Sequence, residues 1–445
     1  MPLLQRKICT FVAEIRGIPQ KYNAKNMIFE RKKYIEELVS ADGIGMIKIV
    51  TGIRRCGKSF LLFTLFKQHL LDTGVAADHI IDVNLEDRRN RKLRDPDALL
   101  DHIDGLMVDT GKYYILLDEV QMVKEFEDVL NSFLHISNAE VYVTGSNAKF
   151  LSKDVITEFR GRGWEIRVRP LSFAEYYEGI GGDYRNALET YYIYGGLPAV
   201  ALLNSPEEKQ KYLRSVYETV YLRDVLQRNS LRNADGMREL VKVLASSMGS
   251  STNAQRIANT FKSAGGLDIG NNTIARYIEH LEDSFIINEA LRYNVKGRKY
   301  IGTETKYYFE DTGIRNAIVD FRQIEFTHAM ENVVYNELRR LGYSVDIGQV
   351  EVFKDNAEGK TTRSNLEIDF VVNKADERLY IQSAFSLPDR EKVRQEEASL
   401  LNVPDGFRKI IIVGDRGHSN YDDEGILLLS LQDFLLKGND ALAKH

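Results

Sequence analysis

The most legible chemistry lies in Thr51-Gly52-Ile53-Arg54-Arg55-Cys56-Gly57-Lys58-Ser59, which fits the phosphate-loop pattern G-x-x-x-x-G-K-[ST] at every required position. Gly52 and Gly57 let the backbone turn its N–H groups inward. Lys58 carries a cation toward the β- and γ-phosphates, and Ser59 offers a hydroxyl to Mg²⁺. Arg54, Arg55, Cys56 and Phe60 complete the expected nucleotide contacts. Farther on, Tyr113-Tyr114-Ile115-Leu116-Leu117-Asp118-Glu119 is an apolar run ending in two carboxylates. Asp118 would bind the metal through water and Glu119 would polarise an attacking water, a pairing that favours hydrolysis over phosphoryl transfer. The blander reading is an acidic strand end that caps the next helix. Gly145-Ser146-Asn147 follows another apolar run, and Asn147 or Ser146 is the expected sensor of a γ-phosphate. Arg160 and Arg162 stand on a glycine-flanked turn. Either is a candidate arginine finger, in cis or for a neighbouring subunit, or a partner of surface acids.

Such residues need a strand before the loop and a helix after it. Met46-Ile47-Lys48-Ile49-Val50 reads as the strand and Phe60-Leu61-Leu62-Phe63-Thr64-Leu65-Phe66 as the helix. Ile80-Ile81-Asp82-Val83-Asn84-Leu85 and Glu140-Val141-Tyr142-Val143-Thr144 supply further strands, so a parallel sheet with its ligand at the carboxyl ends is expected. Ahead of the sheet, Ile28, Tyr34, Ile35, Leu38 and Val39 are expected to line one helix face. The basic run Arg88 to Arg94 reads as a solvated loop. From Leu171 to about Arg228 the pattern is helical and rich in tyrosine, broken by a hinge-like Gly195-Gly196-Leu197-Pro198.

Composition narrows the class. At 445 residues the chain exceeds one ordinary core, and 43% hydrophobic with 28% charged residues describes a folded protein. The net charge of −5 argues against a globally basic nucleic-acid coat protein. Two cysteines, Cys9 and Cys56, cannot make a disulfide framework or a four-thiolate zinc site. With no signal-peptide pattern and no apolar run near the ~20 residues that span a bilayer, a cytoplasmic protein without a membrane partner is expected.

Together the motifs resemble prokaryotic AAA-type ATPases of the AAA_14 kind, whose C-terminal half is a domain of unknown function. The likeness rests on the phosphate loop, Leu116-Leu117-Asp118-Glu119-Val120-Gln121, Val143-Thr144-Gly145-Ser146-Asn147 and Arg169-Pro170-Leu171-Ser172-Phe173-Ala174-Glu175. It continues through Tyr194-Gly195-Gly196-Leu197-Pro198 and Tyr221-Leu222-Arg223-Asp224. The resemblance implies ATP with Mg²⁺, Ser146 or Asn147 as sensor, and Arg160 or Arg162 as the family's glycine-neighboured arginine.

The expected fold class is α/β. A helical segment at 1–45 precedes a P-loop AAA core with a parallel sheet at 46–170, a helical lid at 171–230 and a winged helix at 231–320. A nuclease-like α/β domain follows at 321–445. In the winged helix, three helices precede two strands and a basic wing. Thr273, Arg276 and Tyr277 are candidates for a DNA major groove, with Arg292, Lys296, Arg298 and Lys299 on phosphates. Asn271 or Asn272 is the expected cap of the third helix.

In the last segment Glu331, opening a helix, Asp369 on a strand and Gln382-Ser383-Ala384 on the next resemble the restriction-endonuclease-like fold in order and spacing. Gln382 and Ala384 stand where that fold has an acid and a lysine, so binding without cutting is expected. The resulting expectation is a Mg²⁺-dependent ATPase that moves its C-terminal half on double-stranded DNA, as a homo-oligomer if the arginine acts in trans. The alternatives are a nucleotide-gated scaffold that binds protein only and, disfavoured by Ala384, an active metal-dependent nuclease.

Overall fold

A computed structural model of the chain describes residues 28–145, 161–228, 234–263, 269–302, 304–322, 324–355 and 361–443. Ser146, Asn147, Arg160 and Cys9 lie outside the described residues.

A first helix, α1 (Lys32–Ser40), leads into β1 (Ile47–Thr51). Tyr34 and Leu38 of α1 are buried, as the periodicity predicts, whereas Ile28 and Val39 are 38% and 42% exposed and do not belong to the buried face. The helix after the phosphate loop, α2, begins at Lys58–Phe60, widens into a π-helical stretch at Leu61–Phe66 and ends at Lys67–Asp72. There follow β2 (Ile80–Asn84), α3 (Pro96–Leu106), β3 (Tyr113–Asp118), α4 (Phe126–Phe133), β4 (Ala139–Thr144) and β5 (Gly163–Arg167). These five strands form one parallel sheet in the order β2-β3-β4-β1-β5. Strands β1 and β3 are buried at every position, as near-continuous apolar runs in a parallel sheet covered on both faces should be. The basic run forms a short 3₁₀-helix, Arg88–Arg94, capped by Asp87.

Strand β5 is the element the sequence conceals. Its first residues read as part of an arginine–glycine turn, yet Gly163 to Arg167 pair in register with Ile47 to Thr51. A Cβ on Gly163 would stand 2.7 Å from Ile49 Cδ1, so a larger residue there would have to displace the tip of that side chain.

The tyrosine-rich segment folds as α5 (Phe173–Ile180), α6 (Tyr184–Tyr194) and a long helix, α7, that runs from Pro206–Val216 through Tyr217–Leu222 to Arg223–Arg228. Its tyrosines are packing residues: Tyr176, Tyr192, Tyr217 and Tyr221 are all buried. Three helices come next, α8 (Ala234–Ser246), α9 (Ala254–Ser263) and α10 (Asn271–Asp283). Gly270, not Asn271 or Asn272, occupies the N-cap of α10, without a side-chain bond.

The strand pattern behind those helices departs from expectation. Strands β6 (Ile287–Ala290) and β9 (Lys306–Phe309) pair antiparallel as a two-stranded sheet. The basic excursion between them, β7 (Arg292–Asn294) and β8 (Lys299–Tyr300), instead enters the C-terminal sheet. The remaining elements are α11 (Thr312–Ile318), α12 (Phe326–Arg340), β10 (Ser344–Asp355), β11 (Thr361–Lys374), β12 (Glu377–Ala384), α13 (Arg390–Leu401), β13 (Arg408–Val413), β14 (Asn420–Tyr421), β15 (Leu427–Ser430), α14 (Leu431–Lys437) and α15 (Asn439–Ala443). The sheet they build has the order β14-β15-β13-β12-β11-β10-β7-β8. Pairing of β7 with β10 is parallel, Ile347 opposite Arg292 and Gln349 opposite Asn294, so the expected wing is an edge of this sheet.

Candidate nucleotide-binding site

The register of the parallel sheet assembles the site. Val50 lies opposite Thr144 and Leu117 opposite Val143, so the ends of β1, β3 and β4 finish side by side. The phosphate loop leaves β1 and returns into α2. Gly52 has φ 135°, and a Cβ there would stand 1.9 Å from the carbonyl oxygen of Val168. Gly57 has φ 102°, also in the region that favours glycine. Lys58 is folded into the bowl of the loop, its Nζ donating to the carbonyls of Gly52 at 2.9 Å and Ile53 at 3.3 Å. Cys56 is buried with Sγ 3.3 Å from the Val168 carbonyl. Burial pushes that thiol's pKa up, which disfavours the thiolate. Arg55 is exposed and Phe60 half-buried on the first turn of α2.

At the head of the sheet, Ser59 Oγ donates to Asp118 Oδ1 at 3.0 Å, and the Thr144 hydroxyl donates to the same oxygen. Burial, joined by the charge of Glu119, raises the Asp118 pKa to about 6, against the two hydroxyl bonds. Glu119 sits in the left-handed region with φ 53°. Its N–H donates to Thr144 Oγ1 at 3.0 Å, and its carboxylate accepts from the Gln121 amide. Thr144 therefore touches both acids. The sequence shows it only as part of a run ending in polar residues, and nothing but the β3–β4 register reveals the job.

Arg162 lies elsewhere. It stands where β5 begins, its backbone carbonyl accepting from Ile47 N–H and its Nη1 3.4 Å from Asn131 Oδ1. That is the opposite end of β1 from the loop, roughly 15 Å along a five-residue strand. That separation keeps Arg162 away from the phosphate loop of its own chain.

Further stretches without an assigned task gather behind the loop. Tyr221 on α7 donates its hydroxyl to the Arg54 carbonyl at 2.8 Å. Leu171 N–H donates to the Gly196 carbonyl at 2.8 Å, and a Cβ on Gly196 would meet the Leu171 carbonyl at 2.3 Å. Gly196 N–H donates to buried Asp311 at 2.8 Å. Beside them, Glu310 receives Arg169 at 2.7 Å, Arg167 at 3.0 Å and Asn288 at 2.8 Å. Burial opposes the charge on Glu310, but Arg167 and Arg169 outweigh it and hold the pKa below the ordinary value.

The DNA candidates do not form one face. Tyr277 is 4% exposed and part of the core, because its position on α10 shares the inward stripe with Ile274, Ile278 and Leu281. It cannot enter a groove. Thr273 is half-buried and Arg276 exposed. Lys296 donates to the Glu351 carbonyl at 2.6 Å, and Arg292 pairs with Glu367 at 2.8 Å. Arg298 and Lys299 are exposed at the sheet edge.

In the C-terminal sheet, Glu331 is within α12, which begins at Phe326, so Glu331 does not open that helix. Asp369 Oδ2 accepts Ser383 N–H at 2.8 Å, and Gln382 Oε1 accepts Asp369 N–H at 3.2 Å. Gln382 is thus spent on backbone. Among the described residues no three His, Cys, Asp or Glu side chains stand in a metal-holding arrangement.

Comparison with known proteins fits this geometry. Residues 45–177 match the model of an AAA domain, AAA_14. An uncharacterised protein of Haemophilus influenzae is 31% identical over 420 residues, covering 93% of this chain and all of that one. The chain belongs to the AAA_14 family. Residues 185–325 of this family member match a domain of unknown function. A second uncharacterised relative, from Methanocaldococcus jannaschii, is 26% identical over 406 residues, covering 87% of this chain and 85% of its own. Among solved structures, Aeropyrum pernix Orc1 in complex with DNA aligns at 14% identity and a TM-score of 0.30, over 68% of this chain and 95% of that one. No described helix of the AAA_14 chain is long and apolar enough to cross a membrane.

Proposed function

We propose that the protein is a Mg²⁺-dependent ATPase in which nucleotide state is passed to the C-terminal half. The observation that carries the reading is the meeting of Ser59, Asp118, Thr144 and Glu119 at one end of the sheet, directly beside a glycine-framed loop with an inward lysine. The loop N–H groups and Lys58 would hold the phosphates. Ser59 and Asp118 fit Mg²⁺, one hydroxyl and one carboxylate already aimed at each other, and the ion would supply charge neutralisation on the phosphates. Glu119 would take the proton of the attacking water, with Gln121 and Thr144 setting its orientation. An arginine finger would come from a neighbouring subunit or from Arg160.

The second half of the proposal concerns transmission. Tyr221 reads the Arg54 carbonyl, and Glu310 and Asp311 tie the chain after β9 to β5 and to the Gly195–Gly196 break, so a shift of the loop reaches the C-terminal half through short, buried polar contacts. A protein partner for that half is favoured over DNA, because Tyr277 is core and Lys296 and Arg292 are engaged within the chain. Phosphate release from ATP, measured with and without double-stranded DNA at low salt, tests both parts. Mg²⁺-dependent turnover that DNA leaves unchanged is expected; absence of turnover overturns the ATPase, and strong stimulation by DNA restores the nucleic-acid reading.

A further inference from the structure

Gln121 sits two residues past Glu119, inside the short 3₁₀ turn Val120–Met122. The turn is pinned along its length: Met122 N–H donates to the Glu119 carbonyl at 3.0 Å, Val123 N–H donates to the Val120 carbonyl at 2.9 Å, and Val120 is fully buried. Glu119 itself has φ 53°, a backbone region that costs a residue with a side chain energy and is kept where function needs it. From that corner its carboxylate accepts from the Gln121 amide. An ionised carboxylate only accepts hydrogen bonds, so the amide must offer it Nε2–H and turn Oε1 away. Among the described residues no donor meets Oε1, although the atom is buried. Asp118 shows the contrast, its Oδ1 taking hydroxyls from both Ser59 and Thr144. A buried acceptor left unpaired by its own chain is costly, so a donor from outside the chain is called for.

We propose that Gln121 is the second holder of the attacking water: its Oε1 accepts one water hydrogen while the Glu119 carboxylate takes the other. The inference rests on the ATPase reading above. The two polar atoms of one amide are neighbours, so a water at ordinary hydrogen-bond distances of about 2.8 Å reaches Oε1 and the carboxylate together. Held by both hydrogens, it presents its lone pairs to the γ-phosphate. In the step itself the water oxygen bonds to Pγ as the bond from Pγ to the β,γ-bridging oxygen breaks, and that electron pair leaves on ADP. One proton passes to the Glu119 carboxylate, and the hydrogen facing Gln121 stays on the phosphate that forms. Oε1 is closed to bulk solvent, so the water it takes is one enclosed with the nucleotide.

The test measures phosphate release from Mg²⁺–ATP, and ADP affinity by calorimetry, on the full-length protein. Gln121→Leu should lower kcat about 10- to 100-fold while KM and ADP affinity stay within about twofold, since the lost contact is to water and not to nucleotide. Added to Glu119→Gln, it should cost less than about threefold more, because both residues act on one water. Gln121→Glu gives a readout that packing cannot move. With one proton between the paired acids it offers the donor and acceptor of the amide, and fully ionised it repels Glu119. Its kcat relative to wild type should therefore fall about tenfold or more from about pH 6 to about pH 8.5. A folded Gln121→Leu with unchanged kcat overturns the proposal, as does a faster one, which would make the amide a brake on Glu119. Equal loss of ADP affinity, losses that multiply with Glu119→Gln, or a Gln121→Glu ratio flat with pH overturn it too. Should Gln121→Leu melt early, Gln121→Met takes its place with similar reach and no amide, and the Gln121→Glu profile decides. Wild type that releases no phosphate removes the ATPase reading and this inference with it, whereas wild-type turnover indifferent to Gln121 removes this inference alone.

Discussion

At the head of β3, Asp118 is contacted by two neutral hydroxyls, Ser59 and Thr144. Beside the eight-stranded sheet, Glu331 of α12 and Glu367 of β11 share the ammonium of Lys306 on β9. Both places collect carboxylates in partly dry surroundings. The first leaves the charge uncancelled beside a loop built for phosphates, so an added cation is welcome; the second supplies a cation from its own chain, so nothing need arrive. Acidic clusters therefore carry different meanings, and the deciding feature is the identity of the third neighbour, not the acids themselves.

The comparison can be pressed at the first centre in order of expected effect. Glu119→Gln should still bind ATP but turn it over about 10²- to 10⁴-fold more slowly; near-normal phosphate release would mean that another group serves as base. Lys58→Ala removes a charge-assisted contact to phosphate and should weaken ATP binding by about 10- to 100-fold in calorimetry, and unchanged affinity would remove the phosphate-loop assignment. Thr144→Val takes a hydroxyl from both acids and should lower kcat about tenfold with the fold intact. If circular dichroism is native and kcat is unmoved, Thr144 only packs.

The smallest effect is on pH. Because Asp118 has a pKa raised to about 6, a proton competes with the metal, and Mg²⁺–nucleotide affinity should fall about fourfold between pH 7 and pH 5.5. The linkage to stability has the opposite sense for the nucleotide-free protein. The folded state binds this proton more tightly than the unfolded chain does, so Asp118 contributes stability at low pH that is lost as pH rises from about 4 through 6. A flat affinity profile across that window would show Asp118 to be ionised throughout.

Much of this was legible beforehand, and for identifiable reasons. The loop from Gly52 to Ser59 and the acids at Asp118 and Glu119 are local patterns: glycines at the sharp turns, a cation and hydroxyl at fixed spacing, and carboxylates closing an apolar run. The strands that carry them are equally local, because a strand buried on both faces announces itself as a β-branched or aromatic run. Strand β5 escaped because Gly163-Trp164-Glu165-Ile166-Arg167 has no apolar run and its alternation spans only four residues directly behind an arginine–glycine turn; pairing with β1 shows it to be a strand.

What only the tertiary structure decided is who meets whom. Thr144 became a partner of Asp118 and Glu119 through register. Arg162 was sent to the wrong end of β1 for its own loop, and Tyr277 was turned inward with its helix. The basic segment around Lys296, which in sequence follows three helices, was drawn away into a distant sheet. Most of all, Lys306 lies far along the chain from Glu331 and farther still from Glu367, and no spacing rule joins them. Sequence determined which chemistry the residues can do. Long-range pairing decided whether a cation must come from solution or has come already from the chain, because an electrostatic neighbour is defined by distance in space.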